Sequence, residues 1–435
     1  MAAGEAAVDI TTVECVNGRG SDELLGSAID LPAAPSRYAA FDFVISGWAL
    51  TRKRGFEVVQ VRAGDEVIAR ARQYLPSAEA ASKFPRVARA QNCGFQIAVG
   101  TVGLAPRFEC VVEGLLPGGR AIALWRVRGT RTITTRGGGA FRPAIVTSLG
   151  RTGTTLLLGL LAGHPEIVVE QSVPHEERVS SYWLQVFKVL SRPTNPPRGE
   201  ERESFTDNPQ LVGRNPYNYR SAWEPGAVRS WFGQQSVEHL ATFCRENIDA
   251  YYGALAESYG KPHAHYFAEK ILGNPIPHLW RDVYVQEREI FLVRDFRDMT
   301  ASILAFNMRR GTAAFGRDGF RNDEAYVRRH LGGAAQQLLE AWRERGQNAL
   351  LVRYEDLIGS QQETLQKLLE FLEVDSGETA VDRVISSIEG RSGLGNHQTT
   401  APAASVGRWQ TDLTPRLQQV CAEAFGPFLP EFGYA

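Results

Sequence analysis

The sequence predicts a small all-β, sandwich-like module followed by a larger α/β domain built on a parallel sheet. Three observations carry this reading. Between about Phe41 and Arg128, short apolar runs alternate in period two and are broken by turn residues. Beyond Arg142 the apolar runs become short and unbroken, and they alternate with helix-length amphipathic segments. The first of those runs ends in a turn rich in Gly and Thr, Gly150 to Thr155, that leads straight into an apolar helix.

The elements follow in order. FDFVISGWAL, EVVQVRAGDEVIARA, CGFQIAV and RFECVVEGLLPGGRAIALWRV alternate apolar and polar positions, with Gly-Asp and Pro-Gly-Gly between runs, so they predict antiparallel strands and hairpins. The expected layout is an N-terminal tail over 1–37, the β module over 38–130, a polar, Gly-rich linker over 131–141 and the α/β domain over 142–435. In that domain AIVTSL (144–149), IVV (167–169), YFAEK (266–270), EIFLVRD (289–295) and ALLVRYEDL (349–357) predict parallel strands covered on both faces. Residues 191–235, rich in Pro, Asn, Gly and aromatics, fit no regular element and form either a substrate lid or a packed excursion.

Composition narrows the function. The 435 residues exceed one domain at roughly 150 residues each, and they can bury a large core without covalent staples. With 48 Lys+Arg against 49 Asp+Glu the chain lacks the cationic surplus that binding to nucleic acid or anionic membrane requires, so any anion site is local. Five scattered cysteines (Cys15, Cys93, Cys110, Cys244, Cys421) with no CxxC spacing argue against a disulfide framework and a zinc site, and suit a reducing compartment. The N-terminus lacks a basic start followed by an apolar stretch, and LLLGLLAG (156–163) is too short to span a bilayer. The expectation is a cytoplasmic chain without a transmembrane segment. Lysine accounts for 6 of the 48 basic residues, a preference expected of a GC-rich genome, and Lys270 is one of the six.

Two segments carry candidate chemistry. In AIVTSLGRTGTTLLLGLLAGHP a strand runs through Gly150, Arg151, Thr152, Gly153, Thr154 and Thr155 into a helix. Backbone N–H groups there, at the positive end of the helix, make a phosphate-sized anion site. The run resembles a P-loop but has Thr154 where GxxxxGK[ST] has Lys, and its basic residue comes earlier, as Arg151. In EIFLVRDFRDMTASILAF a buried strand ends in Arg294 and the next helix carries Ser302, a pair able to grip a second anion near the same crevice. A strand-end ion pair between Arg294 and Asp295 is the plainer reading of that segment in isolation.

These two segments in this order, with YFAEK between them and LLVRYEDLIGSQQETLQKLLEFLEV and SVGRWQTDLT after them, resemble the PAPS-dependent sulfotransferases, most closely the bacterial branch with RxGTT in the first loop. The resemblance spans about residues 142–435. It implies that the loop around Arg151, Gly153, Thr154 and Thr155 holds the 5′-phosphosulfate of PAPS (3′-phosphoadenylyl sulfate) and that Arg294 and Ser302 hold its 3′-phosphate. It further implies that Lys270 serves the bridging oxygen and that Ser405, Val406, Gly407, Arg408 and Trp409 close over the nucleotide. Arg353, Tyr354, Glu355 and Asp356 look more like a structural brace. Many relatives have Lys at the position of Arg151 and Pro at that of Phe296.

Sulfuryl transfer is in-line displacement, catalysed mostly by positioning and by stabilising charge on the leaving oxygen. The transferred group carries little charge, so cationic side chains and a helix N-terminus suffice and no metal is expected. Lys270 is the expected donor to the leaving phosphate, with a strand-end salt bridge to Glu269 as its alternative. The acceptor hydroxyl must lose a proton. By the resemblance, the base comes from IVVEQSVPHEERVSSYW, where Glu176 ranks narrowly ahead of Glu170 and His175 comes third; each is also what a solvated helix start would carry. His263 and His265 read as ordinary, as do most of Tyr182, Trp183, Tyr217, Tyr219, Trp223 and Trp231, while His397, Thr399 and Thr400 either line the acceptor side or form a polar loop cluster. The acceptor is expected to be a glycan, glycolipid or other small molecule. The alternatives are a P-loop nucleotide kinase-like enzyme, which the missing GK[ST] disfavours, and a catalytically inactive carbohydrate-binding protein.

Overall fold

A computed structural model describes residues 6–16, 23–52, 55–73, 75–132, 137–193, 231–272, 277–388 and 401–434. Most of the 191–235 segment lies outside the described residues, and so do Tyr217, Tyr219, Trp223, His397, Thr399 and Thr400. The chain divides into two compact units. The first gathers Met1–Gly137, Trp183–Arg245 and Ile276–Val285; the second gathers Gly138–Tyr182, Glu246–Pro275 and Gln286–Ala435.

Among its described residues the first unit holds nine strands: β1 (Val8–Cys15), β2 (Leu24–Leu31), β3 (Ser36–Tyr38), β4 (Asp42–Thr51), β5 (Val58–Ala63), β6 (Glu66–Ala71), β7 (Gly94–Gly100), β8 (Arg107–Leu115) and β9 (Ala121–Arg131). They form two antiparallel sheets, of order β3-β1-β9-β8-β5-β6 and β2-β4-β7. One apolar cluster draws on both, with Ile10, Val59, Val61, Val112, Leu124 and Val127 from the first and Phe43, Ile45, Phe95 and Ile97 from the second. The β8–β9 hairpin turns on Gly118 and Gly119, both with positive φ (91° and 83°), as its Pro-Gly-Gly run demands. The segment expected as a tail contributes β1, β2 and β3, and β9 runs on through Arg131, whose guanidinium lies 2.6 Å from the Asp282 carboxylate.

The second unit is an α/β fold on a five-stranded parallel sheet of order β11-β12-β10-β13-β14, made by β10 (Arg142–Ser148), β11 (Ile167–Val168), β12 (Tyr266–Leu272), β13 (Arg288–Val293) and β14 (Ala349–Arg353). Its helices cover both faces. On one face Ala144, Val146, Tyr266, Ala268, Ile290 and Leu292 pack against Leu157 and Leu161 of a helix over Thr154–Leu161. On the other, Phe291 and Val293 meet Met299 of a helix over Phe296–Arg310. Ile290 and Leu292 point one way and Phe291 and Val293 the other, which is why these strands read as unbroken apolar runs. In chain order α1 is Ala78–Lys83, α2 is Thr154–Leu161, α3 is Val179–Leu190, α4 is Ser236–Ser258, α5 is Pro277–Val283 and α6 is Phe296–Arg310. Among the described residues no helix is long and apolar enough to cross a membrane.

Candidate active site

The chain after β10 turns toward β11 and the chain after β13 turns the other way, toward β14, so the sheet has its switch point between β10 and β13. Open parallel sheets bind ligands there because the diverging connections leave a crevice. The turn from Gly150 to Gly153 lies at that point. Arg151 (φ 66°) and Gly153 (φ 98°) both take the left-handed conformation, and α2 starts at Thr154 with no side chain capping its first turn. A side chain at residue 153 would be strained by that φ, and its Cβ would sit 2.4 Å from the Tyr354 ring. An N-terminal helix turn without a side-chain cap offers backbone donors and the positive end of the helix dipole to an anion. The fully buried Thr152 hydroxyl donates to the Leu149 carbonyl (3.0 Å) and braces the turn. Thr154 is buried and Thr155 half-buried.

The two segments singled out as candidate anion sites meet. Arg151 Nε donates to Ser302 Oγ (3.3 Å) from the turn to the second turn of α6, and Arg294 Nη1 donates to the Arg151 carbonyl (3.2 Å). Arg294 Nη2 donates to the Ser405 carbonyl (2.5 Å), its guanidinium lies 4.7 Å from the Tyr354 ring centroid, and its buried Nε has no hydrogen-bond partner. The Arg294–Asp295 pairing does not form: Asp295 caps α6 and pairs with Arg297 (2.7 Å). Burial, together with the nearby charges of Arg294, Arg408 and Arg310 and against the opposing effect of Tyr354, lowers the pKa of Arg151 to about 10. Burial also lowers that of Arg294. Such a cluster of guanidiniums in a desolvated turn favours a highly charged anion.

Lys270 leaves β12 on the face that carries Tyr266 and Ala268, the face packed by α2. It is 3% exposed. Its ammonium donates to the Pro174 carbonyl (2.6 Å) and pairs with the Glu176 carboxylate (2.7 Å), which also accepts from Arg178 (2.8 Å). Glu269 turns to the opposite face, so Glu176 takes the place at Lys270 that strand adjacency suggested for Glu269. Burial would raise the Glu176 carboxyl, but Lys270 and Arg178 outweigh it and hold the group below the usual carboxylate range. Burial lowers Lys270, with Arg178 and Arg151 adding and Glu176 opposing.

The other base candidates are engaged differently. Glu170 accepts from the Ser172 amide (2.8 Å) and from the Ser172 hydroxyl. His175 is buried, has φ 62°, and sets Nδ1 2.6 Å from the Glu170 carbonyl.

The 405–409 segment is clasped to the same crevice. Ser405 Oγ contacts Tyr354 Oη (2.9 Å) and donates to Pro402 O (2.6 Å), and Asp298 accepts from the amides of Gly407 (2.7 Å) and Trp409 (2.9 Å). Val406 is exposed, Arg408 pairs with Asp412 (2.5 Å), and the Trp409 ring lies 4.4 Å from Arg297. Sequence reasoning passed over Asp298 and saw Tyr354 only as a brace. Their signal was present, since Asp298 sits inside RDFRD and Tyr354 follows a strand end.

Among the described residues there is no group of three or more His, Cys, Asp or Glu arranged to hold a metal ion, and His265 lies 3.6 Å from Glu166.

The fold and the turn together define a parallel α/β protein with an uncapped strand-turn-helix at its switch point. A model of the sulfotransferase family matches residues 143–378, more than half of the 435, and the chain belongs to that family. No curated protein matches it. Similar solved structures include the sulfotransferase domain from the curacin biosynthetic pathway, at 16% identity over 69% of this chain and 99% of that one, with a TM-score of 0.38. Sulfotransferase STF9 from Mycobacterium avium is 14% identical over 68% and 78% (TM-score 0.33), and mouse sulfotransferase SULT7A1 complexed with PAP is 11% identical over 66% and 84% (TM-score 0.35).

Proposed function

We propose that this sulfotransferase moves the sulfuryl group of PAPS to an acceptor hydroxyl and releases adenosine 3′,5′-bisphosphate. The observation that carries the reading is the gathering of Arg151, Arg294 and Arg408 at the α2 turn, with the buried Arg294 Nε still lacking a partner. The turn and Arg151 take the phosphosulfate end, Arg294 and Ser302 take the 3′-phosphate, and the 405–409 segment lies over the nucleotide. The acceptor oxygen bonds to sulfur as the bond from sulfur to the bridging oxygen breaks. Lys270 donates to the departing phosphate oxygen, and Glu176 receives the hydroxyl proton. The reaction asks for no metal under this scheme, because guanidinium, ammonium and helix amides supply the positive charge. The antiparallel unit, whose two sheets share one apolar cluster, is read as a sandwich-like accessory module ahead of a sulfotransferase domain at 142–435, and the acceptor as a glycan, glycolipid or other small molecule in the cytoplasm.

Calorimetry with adenosine 3′,5′-bisphosphate against ATP, with and without Mg²⁺, tests the donor. Tighter binding of the bisphosphate, indifferent to Mg²⁺, is expected. Tighter, Mg²⁺-dependent binding of ATP would overturn the reading in favour of a kinase-like enzyme. Transfer of labelled sulfate from PAPS across sugars, lipids and phenols then identifies the acceptor.

A further inference from the structure

Two consecutive residues of β12 hold the segment that carries Glu176. Lys270 takes its beginning, through the Pro174 carbonyl and the Glu176 carboxylate. Glu269 takes its end: one carboxylate oxygen accepts from the Ser180 amide (2.9 Å) and from the Tyr252 hydroxyl, and the other accepts from the Ser180 hydroxyl. Ser180 and Tyr252 are fully buried and Glu269 nearly so. The Tyr252 ring, on α4, is stacked 4.2 Å from that of Phe267, two residues before Glu269 on the same face of the strand. Ser180 is in the first turn of α3, so Glu269 places a carboxylate where backbone donors lack partners within the helix and the helix dipole is positive. Burial pushes the Glu269 carboxyl up, and the hydrogen bonds from Ser180, Tyr252 and the Ser181 amide work against that rise.

A carboxylate this deep is costly unless its acceptors are saturated, and a cap supplied by a distant strand ties the helix to that strand. We infer that Glu269 is a positioning residue: by anchoring the start of α3 to β12, it fixes the 174–181 segment so that Glu176 stays against Lys270. This rests on the roles proposed above for Glu176 and Lys270. The charged groups acting on the pair are Arg178 on Glu176, and Arg178 and Arg151 on Lys270, while Glu170 and Glu177 act on Tyr251.

The test reads the Glu176 carboxyl directly, by carbon-13 NMR titration of the full chain, with its signal assigned by its loss in Glu176→Gln. Ser180→Ala removes one hydrogen bond from Glu269. The double variant Glu269→Met with Tyr252→Phe removes the anchor and leaves an apolar replacement. In both, the Glu176 midpoint is expected to rise toward or past that of an ordinary glutamate, more in the double variant, and the acidic limb of kcat/KM should rise with it. Glu269→Gln, which can still accept from the Ser180 amide and from Tyr252, is expected to restore the wild-type midpoint. Should the double variant unfold, Ser180→Ala decides alone. A Glu176 midpoint unmoved in folded variants overturns the inference, even if activity falls. If the midpoint moves while Glu176→Gln turns over normally, the positioning role stands and the base assignment fails.

Discussion

Arg294 and Lys270 are both buried cations at the carboxyl edge of strands that flank β10, yet their partners differ in kind. Arg294 donates to two backbone carbonyls and lies beside a tyrosine ring; among the described residues no carboxylate forms an ion pair with it, and Asp298 and Glu355 act on it without direct contact. Lys270 donates to one carbonyl and is held against a carboxylate. A guanidinium hydrogen-bonded to neutral acceptors keeps more of its attraction for an incoming phosphate than a cation in a direct ion pair. An ammonium paired with a carboxylate is half of a proton-handling pair, in which each group sets the other's titration. Under the proposed roles the crevice divides binding from chemistry, and substitutions on the two sides should fail differently.

The largest effect is expected for Glu176→Gln. Loss of a general base costs on the order of 10²-fold or more in kcat, while binding of adenosine 3′,5′-bisphosphate, measured by calorimetry, should be spared. Without the opposing carboxylate, Lys270 should lose its proton at still lower pH, so the alkaline limb of the residual rate moves down. Unchanged turnover would transfer the base role to Glu170 or His175.

Lys270→Met is expected to lower kcat by roughly 10²-fold, as removal of one donor to a developing charge does, again with the bisphosphate still bound. Its pH profile is the sharper test. In the native protein the lowered Glu176 group stays a carboxylate to unusually low pH, so the rate should hold on the acid side and fall only as pH drops through that lowered value. With Lys270 gone, burial is opposed by Arg178 alone, and the acidic limb should move to higher pH. An acidic limb that stays in place would show that the pair does not govern the rate.

Arg294→Ala should do the reverse: bisphosphate affinity falls by about 10- to 100-fold, as loss of charge-assisted hydrogen bonds to a phosphate implies, with kcat at saturating donor little changed. Loss of kcat at unchanged affinity would erase the division between the two sides.

What sequence makes legible here is what local order dictates. The turn at 150–155 is six consecutive residues, and Arg294 and Ser302 are joined by one strand end and two turns of α6, so both could be read without knowing the fold. The partner of Lys270 could not. Adjacency suggested Glu269, but strand alternation turns Glu269 to the other face, and Glu176 arrives from 94 residues upstream by packing of the 170–181 segment. Strand β2 was hidden for another reason: LLGSAIDL does not alternate apolar and polar residues, and it is half-buried or exposed at every position. The clasp of Asp298 on the amides of Gly407 and Trp409 joins residues more than a hundred apart, and no spacing rule reaches that far.

The smallest effect tests whether the brace beneath Arg294 belongs to the binding side. Tyr354 contributes a ring under the guanidinium and a hydroxyl that meets Ser405 Oγ, and the two contributions are separable. Tyr354→Phe keeps the ring and removes one neutral hydrogen bond, worth about 1 kcal/mol, while Ser405 retains its bond to Pro402. Bisphosphate affinity should fall about 5-fold at that energy, with kcat and both pH limbs unmoved. Tyr354→Leu also removes the π surface beside a desolvated cation, so its loss should be greater, approaching that of Arg294→Ala. Equal losses for the Phe and Leu variants would assign the whole effect to the hydroxyl and leave the ring as packing. A shifted acidic limb in either variant would place Tyr354 with Lys270 and Glu176 rather than with Arg294.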